Sequence, residues 1–434
     1  MFEFPLEKHL NLCYNCSIRN RKMEALAKQN TFCFEKMVLK LGILIMAAAV
    51  FSPQIMPYNS DIRAEVLKGY IQKKTVIEEQ DDTALFLLKN KWEQSLKEKY
   101  KGYEVKKVSD GVAYVRIQKK INSKNIKINI AEINRNINPK LEIIPKLSSS
   151  AIHSKSRLSG MVEKGKTLVA VNGTYFKQNT GTPLGTLVIN NEIITGPIYN
   201  RVGLAIEDTG FSTAKIGFNG TMKKGDIEVN IDNINQPRML YSQVLIYTRK
   251  WGQKSPEMKI KCKQMAVVDG KITAISDYPL YIPENGIVIS AIPEKLAMFE
   301  LGDSVYLDYS ITPYNEKATH IISGGPYLIK SGSKYIDYSE EKLSSITGRN
   351  PRTAIGYTKD NVLILVTVEG RKEGSSGVTL NELAQIMKNA GCYEAINLDG
   401  GSSTVMYVNG SLLSGSGVGT NPYISNALTV RLKA

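Results

Sequence analysis

The chain has 434 residues, 42% of them hydrophobic and 22% charged. That is ordinary globular composition, which excludes a disordered or low-complexity chain and allows two or three domains with a large core. The formal net charge of +15 is spread out, with no long Lys/Arg block, so it favours anionic partners without choosing between nucleic acid and cell-wall phosphate.

In chain order, the first notable stretch is Leu41–Phe51, LGILIMAAAVF, behind Lys36 and Lys40. It is short for a membrane span and fits a signal-peptide core, with Ala47-Ala48-Ala49 as a cleavage region. The lead before it is long for a signal peptide, so Met23 or Met37 is a candidate start and an uncleaved anchor stays open. Residues 1–55 are expected to be this leader, and the protein to be secreted or held at the cell surface. Cys13 and Cys16 form a lone C-x-x-C, which needs a second pair to make a zinc site. Cys262 and Cys392 fit either one disulfide or two buried small hydrophobes. Residues 56–102 are charged, with Leu85, Leu88 and Trp92 at helical spacing, and read as a helical linker.

From Tyr103 the pattern alternates. Gly111–Ile117, Ile126–Ile130 and Leu141–Ile144 read as strands. Thr167–Val171 is a buried strand that ends at Asn172-Gly173-Thr174-Tyr175-Phe176. Leu187–Ile189 and Ile193-Ile194 form a hairpin about Asn190-Asn191, and Asp269-Gly270 and Asn285-Gly286 are further hairpin signals. His320-Ile321-Ile322 runs into Ser323-Gly324-Gly325-Pro326. Pro351 stiffens the loop that would aim Arg352, and an Arg fork suits phosphate or carboxylate.

Asn361–Val368 is a short buried strand ending at Glu369-Gly370-Arg371. Thr379-Leu380-Asn381-Glu382 is a capping box, and Leu380, Leu383, Ala384, Met387 and Ala390 form one apolar helical face that stops at Gly391. The next strand, Ala395–Leu398, ends at Asp399-Gly400-Gly401-Ser402-Ser403-Thr404. Strand, helix, strand predicts a parallel pair. Glu369 and Asp399, 30 residues apart in sequence, would then share the sheet edge at which α/β sheets place ligands. The glycine pair lets backbone N–H groups and hydroxyls converge on an anion or a polar sugar. The fold class expected is mixed α/β (α+β), sheet-rich, with at least one strand-helix-strand crossover. No P-loop, Rossmann fingerprint, H-E-x-x-H or G-x-S-x-G is present.

Seven motifs occur in one order: Ala170–Phe176, Gly324–Leu328, Asn350–Ala354, Val368–Arg371, Gly377–Ala384, Asn397–Ser402 and Ser425–Leu428. Together they resemble the phosphodiester glycosidase family, across about residues 110–434. Thr174 and Tyr175 depart from the family's usual Gly-Phe, and Glu369 from its frequent Asp. The resemblance implies a catalytic domain over residues 103–434. Its reaction would be hydrolysis of an N-acetylglucosamine-1-phosphodiester-like substrate with release of the sugar, in cell-wall or exopolysaccharide metabolism. On that basis Asp399 is the carboxylate at the sugar carbon and Glu369 the supporting acid/base. Asn172, Thr174, Arg352, Arg371, Gly324, Gly325, Gly400, Gly401 and Ser402 would bind sugar or phosphate. No cofactor is assigned and a divalent metal is left open. The expected partner is a phosphodiester-linked sugar or an anionic wall polymer, with no nucleic acid, since no aromatic stripe interleaves with the basic residues. A non-catalytic polysaccharide-binding module is the alternative.

Overall fold

The computed structural model describes residues 82–237, 243–314, 318–414 and 421–433. Two compact units divide the chain, Met1–Phe86 and Leu87–Ala434. Of the first, only residues 82–86 are described, and they are helical. The expected leader lies outside the described residues. Among the described residues no helix is long and apolar enough to cross a membrane.

The second unit is built from sheets that are antiparallel throughout except where Asn233–Ile234 runs parallel to Leu245–Tyr247. An eight-stranded sheet runs in the order Val105–Ser109, Val112–Ile121, Lys124–Asn134, Val362–Val368, Arg352–Tyr357, Glu394–Asn397, Tyr327–Lys330, Ser333–Lys334. A five-stranded sheet, in the order Ser411–Ser414, Val405–Val408, Thr167–Asn172, Asn426–Leu432, Leu141–Leu147, shares a core with it. Ile133, Leu365, Ile355 and Ile396 from the first sheet pack there with Val169, Val171, Met406 and Val430 from the second. Two further five-stranded sheets and a three-stranded one fill the region between residues 187 and 323.

The opposite face of the eight-stranded sheet lies under helices. Helix Leu380–Asn389 begins with the expected reciprocal cap, in which the Thr379 side chain accepts from the Glu382 amide and the Glu382 carboxylate from the Thr379 amide. It buries Leu380, Leu383, Ala384 and Met387 against the sheet, each large side chain contributing roughly 1.5–3 kcal/mol of transfer free energy. The helix over residues 82–99 ends on the same core. Trp92, Leu96 and Tyr100 are buried there, and Lys99 Nζ lies 2.8 Å from Glu132 Oε1. The compact unit therefore starts before the boundary expected near residue 103.

The expected mixed α/β class is overturned. Among the described residues strand outweighs helix, 45% against 12%, and the architecture is sandwich-like. Helix Leu380–Asn389 does connect Val362–Val368 to Glu394–Asn397, but strand Arg352–Tyr357 lies between those two and runs antiparallel to both. The connection makes no parallel pair. The misreading has a physical cause. A short apolar strand buried on both faces is typical of parallel α/β sheets, and Val362–Val368 is buried along its whole length. Here one face packs on a second sheet and the other under helices, so the same sequence pattern serves an antiparallel sheet.

Local expectations fare better. Asn190 and Asn191 both have positive φ, at 51° and 64°, as do Asp269 and Gly270, at 49° and 72°. These are the values of type I′ hairpins. Asn285-Gly286 instead leads into strand Gly286–Ala291, which pairs with Lys263–Val268. Cys262 and Cys392 are both buried and free, so the disulfide is absent.

Candidate active site

Asp399 sits where the two core-sharing sheets meet. The Leu398 amide extends the ladder by donating to the Thr353 carbonyl at 2.9 Å. One residue on, the Asp399 amide donates across to the Gly173 carbonyl at 3.2 Å, and the Gly401 amide returns to the Pro351 carbonyl at 2.9 Å. Gly401 takes φ +61° and opens the 3-10 turn Gly401–Ser403. A side chain on Gly400 would press on the Pro351 carbonyl. The Gly400 amide donates to Asp399 Oδ1 at 2.9 Å. Burial pushes the Asp399 carboxyl up to about 6, outweighing the hydrogen bonds from the Ser403 hydroxyl and the Gly400 amide that favour its charged form. The residue keeps a partly exposed surface. Ser402 is exposed beside it.

Asn172 is buried, and its side chain ties this loop to strands Arg352–Tyr357 and Val405–Val408. Its amide donates to the Asp399 carbonyl at 2.7 Å, and its oxygen accepts from the Thr353 hydroxyl at 2.7 Å and the Val405 amide at 3.2 Å. Thr174 is equally enclosed: its amide donates to Asn426 Oδ1 and its hydroxyl accepts from Asn426 Nδ2. Both residues thus shape the site from behind. Gly324 and Gly325 do likewise, since a side chain on the first would collide with the Asn397 carbonyl and on the second with the Glu341 carboxylate.

Glu369 leaves the sheet at the same edge as Asp399, with the Arg352 strand between them. Neighbouring strands lie about 4.8 Å apart, so the two backbones are separated by roughly 10 Å. The Glu369 carboxyl leans away from Asp399. Oε1 accepts from Arg116 at 3.0 Å and from Asn129 Nδ2 at 3.4 Å, and Oε2 faces Lys372 Nζ at 2.8 Å. Asn129 Nδ2 also reaches the Thr367 hydroxyl at 3.4 Å, and Thr367 lies opposite Thr353 in register. A polar row therefore runs from Glu369 through Asn129, Thr367 and Thr353 to Asn172 and the Asp399 loop.

The two candidate arginines differ. Arg352 is buried and donates to three backbone carbonyls, those of Val378, Ile346 and Gly348. Burial lowers its affinity for its proton, and the nearby Arg371 charge adds to this. Arg371 is exposed, has φ +56°, and anchors one guanidinium nitrogen on Asn350 Oδ1 at 2.6 Å. Its guanidinium lies over Gly401, 3.4–3.7 Å from where a Cβ on that glycine would stand. Arg371, more than Arg352, is placed to meet an anion at the loop.

Sequence reasoning missed Tyr175 and Arg201 as members of the site. The Tyr175 hydroxyl donates to the Gly325 carbonyl at 2.8 Å and accepts from Asn397 Nδ2 at 2.7 Å. Burial first, and the Asp399 charge second, push its ionisation upward. The Arg201 guanidinium stacks over the Tyr175 ring at 5.0 Å and donates to the Glu341 and Leu184 carbonyls. Tyr175 lies inside a motif that the sequence singles out, but nothing around Arg201 marks it. On either side of the loop, the buried Asn397 Oδ1 and Thr404 Oγ1 have no hydrogen-bond partner among the described residues. His320 is not part of this site; its Nδ1 accepts from the Asn190 amide. Among the described residues no group of three or more His, Cys, Asp and Glu side chains could hold a metal ion.

Residues 263–431 match the phosphodiester glycosidase family. That stretch holds Arg352, Glu369, Arg371 and Asp399 and leaves out Asn172 and Thr174. The SPbeta prophage-derived uncharacterized protein YomE of Bacillus subtilis is 34% identical over 106 residues, 24% of this chain and 16% of that protein. The N-acetylglucosamine-1-phosphodiester alpha-N-acetylglucosaminidase of Bos taurus is 34% identical over 105 residues, 22% of this chain and 20% of the enzyme. The chain thus spans at most 20% of the length of these curated relatives. The crystal structure of a hypothetical protein from Synechocystis superposes with a TM-score of 0.70 at 24% identity, covering 76% of this chain and 64% of that one. A putative exported protein from Burkholderia pseudomallei gives a TM-score of 0.59 at 17% identity, over 71% of this chain and 74% of that one. These two likenesses concern the fold. What the chain shares by sequence with the phosphodiester glycosidase family is the stretch of residues 263–431.

Proposed function

We propose that this protein hydrolyses a sugar-1-phosphodiester, resembling an N-acetylglucosamine-1-phosphodiester, and releases the sugar. The observation that carries the reading is Asp399, a carboxyl raised to about 6 on a glycine loop that Arg371 overhangs. In this reading the bond between the anomeric carbon and the phosphate oxygen breaks, and its electron pair leaves with the phosphate. Water supplies the hydroxyl at the sugar carbon. Asp399, charged above pH 6, offsets the positive character of that carbon and takes the proton from water. Arg371 faces the departing phosphate, where charge-assisted hydrogen bonds strengthen as negative charge accumulates. A phosphate leaves as a stable anion, so little depends on protonating it. Glu369, with cations on both oxygens, then serves to hold Arg116 and Lys372 at the phosphate side. The setting proposed is extracytoplasmic, on cell-wall or exopolysaccharide phosphodiesters, and it rests on the apolar run Leu41–Phe51.

The test is a screen of sugar-1-phosphodiesters and wall polymers for free sugar, using wild type and Asp399→Asn. Release by wild type that is lost in the variant supports the proposal. A folded wild-type protein that binds polymer and releases no sugar from any of them would overturn it in favour of a binding module.

A further inference from the structure

Across Val362–Val368 and Arg352–Tyr357 from the strand that leads to Asp399, the hairpin Val112–Ile121/Lys124–Asn134 runs outward past the core. Alternate residues of a strand share a face. On the face that carries Tyr114 into the core, the next positions are Arg116, Gln118 and Lys120. Opposite them in register stand Asn129, Lys127 and Asn125. The inner end of this face is apolar, with Tyr114 and Ala131 in the shared core. Its outer end is a polar, basic shelf. Four residues of extended chain place Arg116 and Lys120 roughly 14 Å apart.

An open cavity of about 430 Å³ lies at the outer end, lined by Gln118, Lys119, Lys120, Asn125, Ile126, Lys127 and Gly374. No carboxylate lines it. Among the described residues, the ammonium groups of Lys119, Lys120 and Lys127 make no ion pair, whereas Arg116 and Lys372 are matched to Glu369. The shelf is joined to the candidate site through backbone. The Glu369 amide donates to the Lys127 carbonyl at 2.9 Å, and the Lys127 amide to Ser375 Oγ at 3.0 Å.

We infer that this shelf is a second anion subsite, one that holds a further phosphate of a polymeric sugar-phosphodiester while another phosphate lies at Arg371. The inference rests on the function proposed above and adds that the substrate is a chain with repeating phosphates. The argument is charge complementarity along a defined direction. The row Arg116, Lys127, Lys120 leads away from the Asp399 edge, and a single phosphodiester is too short to use both ends.

The probe is fluorescently labelled inorganic polyphosphate, titrated against the full chain at several salt concentrations. Lys120→Gln/Lys127→Gln is compared with a charge-matched double variant far along the chain, Lys259→Gln/Lys261→Gln. The expected result is an affinity loss of about tenfold or more, with a shallower salt dependence, in the shelf variant alone. Lys120→Arg/Lys127→Arg should restore binding. Equal losses in both Gln variants would overturn the inference in favour of diffuse attraction by the net charge. Unchanged binding by the shelf variant would overturn it outright, and tighter binding of duplex DNA than of polyphosphate would overturn it in favour of a nucleic-acid surface. Because binding is read without turnover, failure of the glycosidase reading and failure of the subsite give different results.

Discussion

The Asn172 side-chain amide holds the Asp399 carbonyl at 2.7 Å, while the Asn172 oxygen is claimed by the Thr353 hydroxyl and the Val405 amide. Asn172, expected to bind sugar or phosphate, forms a clasp between the two core-sharing sheets. Asn172→Ala leaves these three buried groups without their partner, at about 1–3 kcal/mol each. Urea denaturation should show a loss of that order. Asn172→Asp should be worse, since it aims a carboxylate at the Asp399 carbonyl. Wild-type stability in either variant would refute the clasp.

Asp399 should impose a pH signature on stability. Its folded carboxyl binds a proton more tightly than an ordinary aspartate, so the folded state is favoured while the group is protonated, and stability declines as pH rises from about 4 to about 6. The cost is complete above that window and amounts to at most about 3 kcal/mol. Asp399→Asn should therefore raise the melting temperature at pH 7.5 and leave it nearly unchanged at pH 4. The same carboxyl should give kcat/KM an acidic limb near pH 6, with activity falling below it. A melting-temperature difference independent of pH would contradict the assignment.

Arg352 and Arg371 should separate cleanly. Arg371→Ala removes an exposed guanidinium and should lower phosphodiester turnover by about 10²–10³ with little change in melting temperature. An activated aryl glycoside of the same sugar, which lacks the phosphate, should lose much less. Arg352→Ala orphans three backbone carbonyls and should chiefly destabilise the fold. Equal losses on both substrates for Arg371→Ala would remove it from the phosphate side.

Tyr175→Phe deletes the hydroxyl between the Gly325 carbonyl and Asn397 Nδ2. A net loss of about 0.5–1.5 kcal/mol in stability is expected. Turnover should fall with KM nearly constant, because Asn397 directly precedes the strand exit to Asp399. A variant with wild-type kcat would show that the phenol merely fills space.

Legibility in the sequence followed the range of the interactions. The Thr379–Glu382 cap and the Asn190-Asn191 and Asp269-Gly270 turns close within a few residues, so their chemistry is written locally. The shared edge of Glu369 and Asp399 was readable because each apolar run stops at a carboxylate. The neighbour between them was not. Only long-range pairing inserts Arg352–Tyr357 there, and that insertion turns an expected parallel sheet into an antiparallel one. Asn172 and Thr174 carry polar side chains suited to ligand or scaffold alike, and their partners, Asp399 and Asn426, lie too far off in the sequence to be read from it. Arg201 lies in a loop with no motif and joins the site through a stacking contact with Tyr175.

The strand Thr167–Asn172 lies between Val405–Val408 and Asn426–Leu432, bonded to both. The segment that carries the family match begins nearly a hundred positions later, at residue 263. That segment is therefore not an autonomous fragment. Excised by itself, it would present two strands whose common partner has been cut away, along with the loop that Asn172 fastens. Separately produced halves, divided near residue 260 and then mixed, would regain a working Asp399 loop only by reassembling that five-stranded sheet across the break.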